Sequence, residues 1–139
     1  MENELKINDQ ERDLLLKDLC ARLPYGVICE DEYGNVLELN GIDKPNFVTF
    51  KCSDNTFWTT DLDKCKPYLF PLSSMTEEQR KELWELHFDY ISDEIFIDTE
   101  FVYHEDYVHL IDWLNKNHFD WRGLIPMGLA NDATGLNIY

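Results

Sequence analysis

"YGVICEDEYGNVLELNGIDKPNFVTFKCSDNTFWTTDL", residues 25–62, settles the fold class of this 139-residue chain. "YGVICE" and "NVLELNG" flank "DEYGN", an acidic turn containing glycine, and the three pieces read as a β-hairpin. "NFVTFKC" and "TFWTTDL" flank "SDN" in the same way, and Phe47, Val48, Phe50, Phe57, Trp58 and the threonines are strand formers. Gly41 and Pro45 mark the joint between the two hairpins. The expectation is four antiparallel strands in one twisted sheet. No βαβ crossover and no G-x-G-x-x-G follows, so a dinucleotide-binding fold has no support.

Working outward toward the N-terminus, the hydrophobic period changes. Asn8 with Glu11 forms a capping box, and Asp9 adds a charge in the first turn. Leu15, Leu16, Leu19, Cys20 and Leu23 then recur at helical spacing, with Arg12, Lys17, Asp18 and Arg22 assigned to the polar side. This predicts a helix of about fifteen residues, stopped by Pro24. Toward the C-terminus, "KPYLFPLSSMTEEQRKEL" (66–83) leads into a second helix over 77–88, whose apolar side is Leu83, Trp84, Leu86, His87 and Phe88. "EIFIDTEFVY" reads as one or two short strands. "HEDYVHLIDWLNKN" reads as a third helix, with Tyr107, Val108, Ile111 and Leu114 on one face and Asn117 as its stop. The tail "GLIPMGLANDATGLNIY" is too apolar for a free linker and is expected to pack on the body without regular structure. The fold expected is α+β: a single domain over 1–139 with a small, mostly antiparallel sheet of about four to six strands packed with three helices.

Ser73, Ser74 and Thr76, preceded by Lys64 and Lys66, resemble an anion site at a helix N-terminus. Glu77 and Glu78 fill the first turn, where they repel a phosphate, and Thr76 with Gln79 forms a second capping box. The stretch therefore reads as a structural joint. Metal binding fares no better. His104 and His109 are five residues apart and diverge by about 140° around a helix, so neither they nor the neighbouring Glu105, Asp106 and Asp112 make a zincin-like set. No calcium-binding loop, no C-x-x-C pair and no nucleophile elbow is present. With 28 acids some carboxylates must lie close together, so a glycosidase-like pair has no distinguishing signature. No catalytic residue, metal or cofactor is assigned.

The formal net charge is −16. Direct nucleic-acid binding needs cations to displace counterions, and anionic membranes repel such a chain. The imbalance is uneven: from Glu82 onward twelve acids face only Lys116 and Arg122. No apolar run spans a bilayer, and "MENELKINDQ" lacks a signal peptide's basic start, so a cytoplasmic protein is expected. Cys20, Cys29, Cys52 and Cys65 are expected to be reduced and mostly buried. Cys65 alone is flanked on both sides by basic residues, Lys64 and Lys66, at what reads as an exposed strand end.

Two binding surfaces follow from these residues. The first is a protein-binding surface made of Glu94, Asp98, Glu100, Glu105, Asp106 and Asp112, which suits a basic partner that itself binds nucleic acid. The alternative is a site for a small nucleotide-like ligand, using Ser73, Ser74, Trp121 and Arg122, with the aromatic and the cation available for stacking. The phrases "KPYLFPLSSMT" (66–76) and "WLNKNHFDWRGLI" (113–125), with the ending "GLANDATGLNIY", are similar to phrases in a group of short acidic proteins encoded by gut bacteria and their phages and prophages. The resemblance runs from about Asp13 to Tyr139. It carries over no catalytic or binding residue. What it implies is a mobile-element setting, in which small acidic proteins without enzymatic motifs act by binding a host factor, including inhibitors of host defence.

Overall fold

A computed structural model describes residues 7–43, 46–52, 54–92, 94–97 and 103–139. Among them are three α-helices, α1 (Asp9–Arg22), α2 (Glu77–Glu85) and α3 (His104–Lys116), and eight strands. β1 (Ile28–Glu30), β2 (Val36–Asp43), β3 (Phe47–Lys51), β4 (Phe57–Asp61), β5 (Lys66–Leu69) and β8 (Asn131–Asp132) form one sheet in the order β4-β3-β2-β1-β5-β8. β6 (Phe88–Ile91) and β7 (Glu94–Ile97) form a separate antiparallel ribbon. The architecture is α+β, as expected.

Both hairpins form where the turn residues place them. In the first, the Asp31 carboxylate accepts from the backbone N–H groups of Tyr33 and Asn35 and from the Asn35 side chain, which closes the turn. Gly34 follows at φ 80°, a conformation open to glycine. Gly41 is not a joint: it lies inside β2, at a break in register where Leu39 faces Phe50 and Gly41 faces Thr49. A glycine within a strand often marks such a bulge, and β2 thereby runs on to Asp43. Pro45 lies outside the described residues.

Helix α1 begins at the Asn8–Glu11 capping box, with each side chain bonded to the other's backbone N–H. Its buried face differs from the expected one. Asp18 and Arg22 are fully buried, while Cys20 is exposed. Positions 15, 18, 19 and 22 follow the i, i+3, i+4, i+7 spacing of a core stripe, so the acid and base occupy two core positions and pair with each other. Helix α2 ends at Glu85, short of the expected Phe88. His87 takes a left-handed conformation (φ 73°), and its N–H bonds to Trp84 O, which turns the chain into β6. Phe88 is therefore a buried strand residue, and Trp84 is 55% exposed instead of lying on the apolar side.

The core has two parts. Leu15, Leu19, Val27, Cys29, Val48, Phe50, Leu62, Cys65 and Leu69 join α1 to the main sheet, together with Leu124 and Leu129 of the tail. Leu83, Phe88, Leu110, Leu114 and Phe119 join α2, α3 and the ribbon. Cys65 is buried in the first part and not at an exposed strand end, since its side chain faces the same interior as Cys29 on the neighbouring strand. The tail packs as expected but includes a strand: β8 pairs in parallel with β5, Tyr68 facing Asn131 and Leu69 facing Asp132.

The 66–83 stretch is a joint. Ser74 Oγ donates to Pro71 O, and Thr76 and Gln79 complete the second capping box at the start of α2. Thr76→Ala is expected to lower unfolding free energy by about 1 kcal/mol, because it orphans a helix N–H. Urea denaturation at constant m-value checks this.

Candidate functional site

The lobe built from α2, the β6–β7 ribbon and α3 carries the first proposed surface. Glu94 opens β7 and is exposed. Glu105 and Asp112 are exposed on α3. Seven residues separate them, nearly two turns, so they share one face about 10 Å apart along the axis. Asp106 has a different place. It is half-buried, and its carboxylate accepts from the Tyr103 N–H at 2.8 Å, which secures the start of the helix. Asp98 and Glu100 lie outside the described residues. On the same lobe Phe96, Ile97, Tyr103, Tyr107 and Val108 are each more than two-fifths exposed.

The four arginines and Lys64 are turned to structural use. Arg12 binds Asp63 through two nitrogens, at 2.7 and 2.6 Å, which holds the Asp63 carboxyl below its usual range. Arg80 pairs with Asp89, Lys64 with Glu32, Arg22 with Asp18, and Arg122 approaches Asp18 at 3.3 Å. Among the described residues no ion pair holds Glu94, Glu105 or Asp112.

The second proposed site is divided by the structure. Ser73 and Trp121 line one open cleft of about 380 Å³, with Pro71, Leu72, Asp120 and Gly123. Ser74 and Arg122 do not join them. The Ser74 hydroxyl serves its own turn, and the Arg122 guanidinium lies over the Trp121 ring at 4.2 Å with its Nε toward Asp18. Asp120 serves the turn that follows. Its two oxygens accept from the N–H groups of Leu124 and Ile125, at 2.7 and 2.9 Å, and so clamp the turn that Gly123 (φ 78°) makes possible. Trp121 Nε1 donates to the buried Asn115 side chain. The "HFDWRGLI" phrase is thus filled by folding roles.

Sequence reasoning missed the polar cluster at the centre of this phrase. Arg22 donates from Nε to Asp18 and from Nη2 to Phe119 O at 2.6 Å. His118 ends α3 in the left-handed conformation (φ 61°), with its own N–H bonded to Asn115 O and that of Phe119 to Leu114 O, the paired bonds of a Schellman cap. Its ring stacks on Tyr139 at 3.6 Å. The Tyr139 hydroxyl in turn accepts from Ile28 N–H and donates to Tyr68 O. That bridge sits beyond Pro67, which faces Cys29 across the β1–β5 pair and has no N–H to continue the ladder. The signal available was the Asp18–Arg22 spacing of four residues inside the leucine stripe.

Among the described residues no group of three His, Cys, Asp or Glu side chains could hold a metal ion, and no helix is long and apolar enough to cross a membrane. Comparison of the chain with family models, curated proteins and solved structures finds no match.

Two expectations follow from the cluster. Asp18→Ala leaves the Arg22 guanidinium buried without its charge partner, and should cost about 3–5 kcal/mol of stability by denaturant titration. Burial, and then the Arg22 charge, push the His118 imidazole down from 6.5 to about 4. The fold therefore holds the neutral ring: its contribution is complete above the ordinary value and is lost as pH falls from 6.5 toward 4. The stability difference between wild type and His118→Gln should shrink across that window, as measured by thermal unfolding at each pH.

Proposed function

We propose that the protein is a binding module whose acidic α3 face engages a basic partner protein, one that uses the same basic surface for nucleic acid. The observation that carries this reading is the pairing pattern: Arg12, Arg22, Arg80, Arg122 and Lys64 are engaged internally, while Glu94, Glu105 and Asp112 face solvent unpaired. Val108, three residues after Glu105 and four before Asp112, is exposed on the same side of α3 and supplies apolar surface that a small ion does not need and a protein interface does. A small-ligand role in the Ser73–Trp121 cleft has weaker support, because no cation lines the cleft and Asp120 does.

Glu105→Lys with Asp112→Lys tests the reading, and leaves Asp106 in place because it caps the helix. Wild type and the double variant serve as baits in lysate of the expressing cell, and association and dissociation rates of each captured protein are then measured between about 50 and 500 mM salt. The wild-type association rate should fall steeply with salt, and the variant should show the low rate throughout with its thermal stability unchanged. An affinity indifferent to both salt and charge reversal would overturn the acidic-face model.

A further inference from the structure

The two ends of the main sheet are finished differently. At the β5 end the open backbone is taken up: β8 covers Tyr68 and Leu69, and beyond them Phe70 N–H bonds His118 O while Asp120 N–H bonds Phe70 O. At the other end, among the described residues, β4 has a neighbour on one side only. The direction of its free groups is fixed by the pairing with β3. Cys52 N–H bonds Thr56 O, and Leu62 N–H bonds Asn46 O. Hydrogen-bonded pairs alternate along an antiparallel ladder, so Thr56, Trp58, Thr60 and Leu62 bond to β3. Phe57, Thr59 and Asp61 therefore point their N–H and C=O groups away from the sheet.

Sheets protect such edges with lysine, proline, a bulge or a cover. β4, "FWTTD", has no lysine or proline, and its five pairs with β3 run without a register shift. Two of its side chains are apolar and exposed, Phe57 at 60% and Trp58 at 37%, with the Tyr33 ring 6.0 Å from Trp58.

We propose that this edge pairs with the β4 edge of a second copy of the chain, antiparallel about a two-fold axis through Thr59, to join two six-stranded sheets into one. The register is set by the free groups. Centring the axis on Thr59 places Phe57 opposite Asp61 of the second copy and Thr59 opposite Thr59, so all three outward-pointing residues of each strand find partners. Local charge also permits it. Asp61 is the only charged residue of β4, and in this register it meets Phe57 and not another carboxylate. A second copy fits this edge better than a basic peptide, since the strand offers one charge and several aromatic or hydroxyl side chains.

The salt dependence has the opposite sign to that of the α3 face. Two chains of net charge −16 repel at long range, so salt should strengthen the dimer. The test is analytical ultracentrifugation of the full chain up to about 300 µM, at about 50 and 500 mM sodium chloride. Wild type should show a monomer–dimer equilibrium that tightens with salt. Thr59→Pro removes an N–H that points away from β3, a position where an edge strand tolerates proline, and should leave a folded monomer by circular dichroism. Thr59→Lys, which sets like charges across the axis, should weaken dimerisation several-fold and decides the matter if the proline variant misfolds. Glu105→Lys with Asp112→Lys should not weaken the dimer. A wild type that stays monomeric at the highest concentration and salt would overturn the proposal, as would a dimer unaffected by Thr59→Lys.

Discussion

The buried pair of Asp18 and Arg22 is the constraint on which the rest of the structure depends. Both side chains are completely shielded from solvent, and removing two such charges from water costs more than their attraction alone recovers. The deficit must be met by further bonds, and here they come from the far end of the chain. Arg22 bonds Phe119 O, ninety-seven residues away, and the Arg122 guanidinium adds its charge 3.3 Å from the other Asp18 oxygen, without a hydrogen bond. Helix α1 belongs to the first part of the core, and Phe119 to the second. Arg22 has its full set of partners only when both parts are in place, because without Phe119 it lacks its carbonyl acceptor. The pair thus works as a register pin between two small cores, the use of buried ionic groups with the firmest physical basis.

That coupling explains what could and could not be seen in the sequence. Features decided by neighbouring residues were legible: both capping boxes, the two hairpins with their polar turns, and the stop of α3 at Asn117. Features decided at long range were not. Asp18 and Arg22 look like solvent-facing residues until the leucine spacing is taken as a stripe with two polar members. β8 is only two residues long and joins a strand more than sixty residues earlier, so no local pattern announces it. The end of α2 was misread because histidine carried the left-handed turn that glycine more often marks, and the apolar Phe88 beyond it continued the helical pattern.

The candidate surface shows the same division. The surplus of acid was plain from composition, but composition does not say which carboxylates are free. Asp18, Asp31, Asp63, Asp89 and Asp120 are each bound to a guanidinium or to backbone amides, and Asp106 holds a helix start. Trp121 and Arg122, which read as an aromatic and a cation available to a ligand, face each other and the interior. The phrases most distinctive in the sequence are therefore explained by folding, and a binding role falls to residues with no distinctive spacing at all. Glu105 and Asp112 stand out only once their partners can be counted.

Engaging the cations internally has a cost at the surface. With the arginines committed to Asp18, Asp63 and Asp89, they are not available to the exposed carboxylates, and the self-repulsion of that surplus opposes compactness. It does not oppose it uniformly. At physiological salt a charge is felt over a Debye length of roughly 8 Å, less than the run of three strands across a sheet. The field along β4 is thus governed by Asp61 and its immediate neighbours, while the field over α3 is governed by Glu105 and Asp112. One chain can therefore present a strongly acidic helix face and a nearly neutral strand edge together. The first attracts a partner of opposite charge at long range, and the second acts only on contact, through backbone groups and aromatic side chains. The two surfaces differ in the range of the forces they use, so neither needs the other in order to operate.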